Sequence, residues 1–121
     1  MNATVVLLSD DLIFSSRITG AAKDHGATVH VSRGIDAAID RAKKEPPRCV
    51  IVDLAVAGER LGDLLAALSE LAVRPRIVAY GAHVDAAGLR NAADLGCDIV
   101  LPRSKFVELL STEFGDWIEL K

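Results

Sequence analysis

Short apolar runs alternate with helical patterns along the whole chain, and this alternation restricts the possible folds more than any other feature. Each run is rich in Val, Ile and Leu, whereas the segments between the runs repeat apolar residues at helical spacing. Strict alternation of strands and helices is typical of a parallel sheet with helices on both faces. Strands are predicted at 5–8, 27–31, 49–52, 76–80 and 98–101, helices at 12–24, 35–42, 61–71, 84–94 and 104–113, and a loop at 55–60.

The handedness of strand connections then selects a topology. Right-handed crossovers leave few arrangements of five parallel strands, and we predict a flavodoxin-like, doubly wound α/β sheet of order 2-1-3-4-5 with five helices. The 121 residues fit one domain, 1–121, with its core over about 3–113 and a short tail. We expect Ser104 to cap the last helix. Trp117 should pack that helix against the core, and the alternative is an exposed docking residue.

Charge and composition exclude several classes of protein. The net charge is −3 with acidic and basic residues mixed, so neither a nucleic-acid surface nor a membrane-binding face is expected. No apolar run approaches the roughly 20 residues of a membrane span, and the N-terminus resembles a strand rather than a signal peptide. We therefore expect a cytoplasmic domain in which Cys49 and Cys97 are buried free thiols.

Charged side chains follow the predicted strands where each strand ends. Asp10 and Asp11 follow strand 1, Asp53 follows strand 3, His83 comes shortly after strand 4, and Arg103 follows strand 5. The carboxyl ends of such strands form the sites of doubly wound folds. Three converging carboxylates repel one another, and a hard cation such as Mg²⁺ would relieve the repulsion.

Each of these residues also has a plainer interpretation. Acidic residues favour helix N-termini, so Asp10 and Asp11 could simply cap the first helix. Arg103 could pair with Asp53 as a structural salt bridge, and His83 could be an ordinary loop residue. Asp53 is harder to explain without a role, because a carboxylate at the mouth of a buried strand is costly unless it is used or paired.

In this order, the residues resemble the receiver (CheY-like) domain of two-component signalling over about residues 3–113. The resemblance implies that SDD at 9–11 supplies the acidic pair that binds Mg²⁺, namely Asp10 and Asp11. It implies that Asp53, in VIVDL at 50–54, accepts a phosphoryl group from a histidine kinase and also binds the metal. The backbone carbonyl of Ala55 would complete the metal site.

The sequence departs from the receiver pattern on the side that reads out phosphorylation. Gly81 stands where the family has a Ser or Thr whose hydroxyl binds the phosphoryl group, and Arg103 stands where it has a Lys. Arg and Lys are not equivalent there, because a planar fork cannot take the place of a slim ammonium group. Tyr80 and His83 are the nearest groups that could replace the missing contact. We therefore predict an atypical receiver, a pseudo-receiver.

The predicted function is that of a stand-alone, non-enzymatic signalling domain that acts by protein–protein contact, with phosphorylation switching impaired or absent. The expected partner is a histidine kinase or a downstream effector. The resemblance also implies a homodimer through the face formed by helix 4, strand 5 and helix 5. The alternatives are a functional phospho-acceptor that uses Asp53 with Arg103, and a flavodoxin-like module that binds a small molecule. The acidic, glycine-free segment after strand 1 disfavours a phosphate loop.

Overall fold

The structure, a computed structural model, describes residues 3–119. Within that range the chain alternates between five strands and five longer helices, and β3 connects to α3 through a helical turn, Leu54–Ala57, and a 3₁₀ turn, Gly58–Arg60. The strands are β1 (Thr4–Leu8), β2 (Thr28–Ser32), β3 (Cys49–Asp53), β4 (Arg76–Gly81) and β5 (Ile99–Pro102). The helices are α1 (Leu12–Asp24), α2 (Ile35–Lys44), α3 (Leu61–Ser69), α4 (Ala86–Leu95) and α5 (Arg103–Trp117).

All strand pairs are parallel, and the sheet order is β2-β1-β3-β4-β5. This confirms the predicted flavodoxin-like topology. Every residue of β3 is buried, as expected for a central strand covered on both faces. The chain order reverses between β1 and β3, so the carboxyl ends of these two strands define the crevice in which such folds place their sites.

The two faces of the sheet bury different side chains. Helices α1 and α5 cover one face, where Tyr80 and Phe106 lie with ring centroids 4.7 Å apart and Phe106 stacks on Trp117 at 5.3 Å. Helices α2, α3 and α4 cover the other face with Leu, Ile, Val and Ala side chains. The aromatic residues of the first face extend to the carboxyl ends of the strands, where Asp53 lies.

The end of the chain differs from the prediction. Helix α5 continues to Trp117 rather than ending near residue 113, so the predicted tail is largely the last turn of this helix. Trp117 is only 3% exposed, which confirms that it packs the helix against the core. The predicted Ser104 cap is wrong, because the helix begins at Arg103 after Pro102 and has no side-chain cap.

Two other segments correct the sequence-based expectations. Residues 55–60 form helical turns rather than an irregular loop, because the Asp53 side chain caps the first of them. Helix α4 begins at Ala86 rather than at 84, because Asp85 caps it by accepting a hydrogen bond from the Gly88 amide. Cys49 and Cys97 are buried and free, as predicted. None of the helices within residues 3–119 combines the length and hydropathy that crossing a bilayer requires.

Candidate functional site

Asp53 ends β3 with its side chain almost entirely buried, at 4% exposure. One carboxylate oxygen, Oδ1, accepts a hydrogen bond from the Ala55 amide at 3.0 Å. This bond makes Asp53 the N-cap of the helical turn Leu54–Ala57 and fixes the orientation of the carboxylate. The other oxygen, Oδ2, faces the start of α5.

Arg103 is the cation that the fold brings to Asp53. Its Nη2 atom lies 3.7 Å from Asp53 Oδ2, which is an ion pair without a good hydrogen bond. The guanidinium carbon is also 5.4 Å from the Phe14 ring centroid and 5.7 Å from that of Tyr80. Contacts of this kind attract a cation to the ring face. Two aromatic rings and one carboxylate therefore hold Arg103 at the mouth of the site, and the pairing alternative is the arrangement that the structure shows.

The two aspartates after β1 have separate surroundings. Asp11 is the N-cap of α1, because its Oδ1 atom accepts a hydrogen bond from the Phe14 amide at 3.0 Å. The helix-cap interpretation thus holds for Asp11. Asp10 is exposed and makes no such bond among the described residues. It remains close enough to Asp53 for its charge to act on that carboxylate.

Burial is the main influence on the ionisation of Asp53. It raises the pKa of the Asp53 carboxyl, whereas the Ala55 amide and the Arg103 guanidinium act in the opposite direction. The negative charge of Asp10 raises this pKa further. Arg103 therefore offsets only part of the cost of burying the charge.

Tyr80 joins the site from β4, directly beside Asp53 in the strand register. Its hydroxyl is buried and has no hydrogen-bond partner among residues 3–119. Burial and, next, the negative charge of Asp53 raise the pKa of Tyr80. The tyrosine hydroxyl therefore stays protonated near neutral pH and is available as a donor.

The resemblance assigns Gly81 to the position where the receiver pattern has a hydroxyl, and the space beside Gly81 is apolar. A Cβ atom on Gly81 would lie 3.3 Å from Leu54 Cδ1 and 3.5 Å from Leu89 Cδ2. Leu54 follows Asp53 directly in the chain, so the helical turn that Asp53 caps also positions this hydrocarbon. Hydrocarbon from Leu54 and Leu89 thus lies where a side chain at position 81 would begin.

Comparisons with known proteins agree with this architecture. No protein-family model matches the sequence, and no curated protein matches it either. Among solved structures, a response regulator from Thermotoga maritima has a TM-score of 0.81 at 19% identity, with 98% of each chain covered. The chemotaxis response regulator CheY4 of Vibrio cholerae has a TM-score of 0.78 at 15% identity, covering 96% of this chain and 98% of its own. This chain has the receiver-domain fold.

The same fold also occurs as part of longer proteins. NtrX from Brucella abortus matches with a TM-score of 0.75 at 18% identity, covering 98% of this chain but only 28% of NtrX. At such identities the likeness establishes the fold. The chemistry of this particular receiver fold has to be judged from its own residues.

The predicted Mg²⁺ site of this receiver fold is not assembled as the side chains lie. Asp11 caps a helix, and the two oxygens of Asp53 face the Ala55 amide and Arg103. Over residues 3–119 no three His, Cys, Asp or Glu side chains are grouped in a way that suits a metal ion. The donor set does not fit Mg²⁺ in this arrangement. Binding of Mg²⁺ by Asp10, Asp11, Asp53 and the Ala55 carbonyl stays a prediction.

A cavity of about 450 Å³ opens beside Arg103, next to the receiver site. Ala82, His83, Arg103 and Ser104 line it. His83 is exposed here, so the fold brings it near Arg103 but does not pair it with Asp53. The structure thus gathers Asp53, Arg103, Tyr80 and Gly81 at one point, with Asp10 at the rim and Asp11 committed to α1.

Proposed function

We propose that this chain is a receiver-type signalling domain that works by contact with a partner protein, and that its phosphorylation switch is impaired or absent. The observation that carries the proposal is the position of Arg103, whose guanidinium group lies against Asp53 and two aromatic rings. The Arg103 side chain, in contact with these three neighbours, already lies beside the carboxylate that a phosphoryl donor would have to reach.

Phosphorylation needs a free carboxylate oxygen at Asp53. In the reaction with acetyl phosphate, that oxygen would form a bond to phosphorus while the bond from phosphorus to the acetyl oxygen breaks and acetate leaves. Here Oδ1 is tied to the Ala55 amide, and Oδ2 faces Arg103 in a buried position. We expect attack by Oδ2 to displace the Arg103 side chain from the rings, which would cost part of the contacts that stabilise it.

A phosphoryl group on Asp53 would also lack the hydroxyl group that binds it in the receiver pattern. A ligand shifts a conformational equilibrium only through contacts that differ between the two states. Gly81 offers no hydroxyl, and Leu54 and Leu89 fill the space beside it. Even if Asp53 were phosphorylated, the modification would therefore have little effect on the conformation of β4 and α4.

With phosphorylation switching impaired, signalling would depend on contact with a partner protein. We assign this contact to the face formed by α4, β5 and α5. β5 is an edge strand whose four residues are only partly buried, and Leu95 at the end of α4 is an exposed apolar residue. A second copy of the chain, a histidine kinase or a downstream effector are the partners proposed for this face. The proposed location is the cytoplasm, in keeping with two free thiols.

Phosphorylation with acetyl phosphate and Mg²⁺, followed by intact-protein mass spectrometry, tests the proposal. We expect the wild-type chain to gain no more phosphoryl group than Asp53→Asn does. The double variant Arg103→Lys with Gly81→Thr should acquire modification that is lost when Asp53→Asn is added. Arg17→Lys, on the exposed side of α1, is the matched control and should behave as the wild type.

One result would favour the runner-up function instead. Arg103 presents a planar fork that suits phosphoryl oxygens, and a functional phospho-acceptor that uses Arg103 in place of Lys is the second candidate. Stoichiometric modification of the wild-type chain that disappears in Asp53→Asn would establish that function. It would also overturn the proposal of an impaired switch.

A further inference from the structure

Three arginine side chains line a recess at the end of the sheet where the strands begin, opposite the end that carries Asp53. Arg48 precedes β3, Arg74 precedes β4, and Arg76 begins β4, so all three lie at the amino ends of the strands, far from Asp53. They line one cavity of about 230 Å³ together with Val73, Pro75, Asp98 and Glu119. Three like charges around one small cavity repel one another unless an anion joins them.

Arg74 is fixed in place by bonds around its guanidinium group. Its Nη1 atom donates to Asp98 Oδ2 at 2.9 Å, and its Nη2 atom donates to the Gly96 carbonyl at 2.6 Å. Asp98 Oδ2 also accepts the Ile77 amide at 2.7 Å. The Asp98 carboxylate is therefore committed to Arg74 and the backbone, which leaves it less able to compensate the other two arginines.

Arg48 and Arg76 keep most of their donors. Arg76 donates from Nη1 to the Asp116 carbonyl at 2.6 Å, which anchors the side chain and leaves its other N–H groups available. Within residues 3–119 the Arg48 side chain has no hydrogen bond and no ion pair. Among residues 3–119, Glu119 is the only other carboxylate that lines the cavity, and it is not paired with any of the three arginines.

We propose that this recess binds a phosphate group, either as free phosphate or on a small phosphomonoester. Three arginines and two acidic residues line the recess, and Asp98 is already engaged by Arg74, so among the described residues the lining carries excess positive charge. Guanidinium forks match the oxygens of a phosphate dianion, and two of the three are held in position before binding. At about 230 Å³ the cavity is smaller than the roughly 300–1,000 Å³ of drug-sized ligand sites, so it admits the head group and leaves the remainder outside.

Glu119 limits the affinity of the proposed site. Its carboxylate lines the same cavity and repels a phosphate dianion. The carbonyls of Gly96 and Asp116 already occupy one donor each on Arg74 and Arg76. Binding in the millimolar range is therefore expected, and removal of the Glu119 charge should tighten it.

A titration of the full chain with inorganic phosphate, followed by amide chemical shifts in NMR spectra, tests the inference. Saturable shifts are expected at residues 48, 74–77 and 98 by about 10 mM phosphate. Arg48→Gln should weaken binding about tenfold, because it removes a charge-assisted donor without breaking any bond seen in the fold. Glu119→Gln should tighten it, and Arg17→Gln, with the same change of charge, should leave it unchanged.

Parallel titrations with adenosine monophosphate and phosphoserine separate the two sources of the phosphate group. If both phosphomonoesters bind with the affinity of inorganic phosphate, the recess recognises the phosphate group alone. If one of them binds more tightly, the recess recognises that class of phosphomonoester. Absence of saturable shifts at these residues overturns the inference. Equal weakening by Arg48→Gln and Arg17→Gln does so too, since it would mean that only net charge matters.

Discussion

The face of the sheet under α1 and α5 is aromatic, whereas the face under α2, α3 and α4 is aliphatic. The sequence has five aromatic residues, and all of them lie on the first face: Phe14, Tyr80, Phe106, Phe114 and Trp117. At the edge that carries Asp53, the aromatic face ends in Arg103 lying over two rings. The aliphatic face ends there in Leu54 and Leu89 packed around Gly81.

The two faces therefore change the receiver site in different ways. A receiver draws its cation from the end of β5 and its hydroxyl from the end of β4, so it needs groups positioned by both faces. Here the aromatic face holds the cation against Asp53, and the aliphatic face places hydrocarbon beside Gly81, the residue that the resemblance assigns to the hydroxyl position. Because the two changes are independent, restoring one of them should not restore a complete switch.

Truncation of one large core residue on each face gives the largest expected effect. Phe106→Ala should lower the free energy of unfolding by about 4 kcal/mol and Leu64→Ala by about 3 kcal/mol, because each removes a fully buried side chain and leaves a cavity. Urea unfolding followed by the fluorescence of Trp117 measures both values.

The native fluorescence then sharpens the comparison between the faces. Trp117 stacks on Phe106, so Phe106→Ala should change the emission of the folded protein, whereas Leu64→Ala should not. A change of native emission in Leu64→Ala as large as that in Phe106→Ala would mean that the two faces are not separate.

Most of the fold follows from the spacing of apolar residues. Runs such as CVIV and RIVAY are β-branched and are bounded by Pro, Asp or Gly, so the predicted strands lie within one residue of the observed ends. The end of α5 was harder to predict, because Gly115 is typical of a helix end. In the structure Gly115 lies inside α5, and a Cβ there would meet His25 at 3.2 Å, so close packing explains the glycine.

The site was predictable only where it depends on chain order. The position of Asp53 and Arg103 after their strands places them at one edge of the sheet. The sequence does not show that Arg103 lies over Phe14, since the contact joins residues 89 positions apart. Nor does it show that Leu54 fills the space beside Gly81, because this depends on a helical turn where a loop was expected.

Replacing the buried carboxylate of Asp53 gives a smaller effect than the core truncations. Burial raises the pKa of Asp53 in the folded protein, so the fold favours the neutral form and ionisation of this residue reduces stability. Asp53→Asn keeps an acceptor for the Ala55 amide and removes the charge. The loss of an ion pair at 3.7 Å with a half-exposed Arg103 is worth at most about 1 kcal/mol, so we expect Asp53→Asn to raise the melting temperature by a few degrees at neutral pH.

The pH dependence of that gain has a definite sign. Below the pKa of an unfolded Asp, about 3.9, both proteins are neutral at this position and the gain should vanish. It should grow as the pH rises through the raised pKa of folded Asp53. Asp36→Asn is the contrasting control, because Arg60 lowers the pKa of Asp36 and its ionised form stabilises the fold. A gain from Asp53→Asn that does not change with pH would contradict this account.

The smallest expected effect is the coupling between Arg103 and Phe14, and it tests how the aromatic face controls the site. A guanidinium group over a partly exposed ring contributes about 0.5–1 kcal/mol, so a double-mutant cycle of Arg103→Gln and Phe14→Leu should yield a coupling energy of that size. The same cycle with Lys105→Gln, an exposed cation in the same helix turn, should yield none. If the Arg103 coupling is also zero, the Phe14 ring does not hold the guanidinium group, and Asp53 and Tyr80 position it. The site would then depend less on the aromatic face, and Arg103 would be freer to leave when Asp53 is modified.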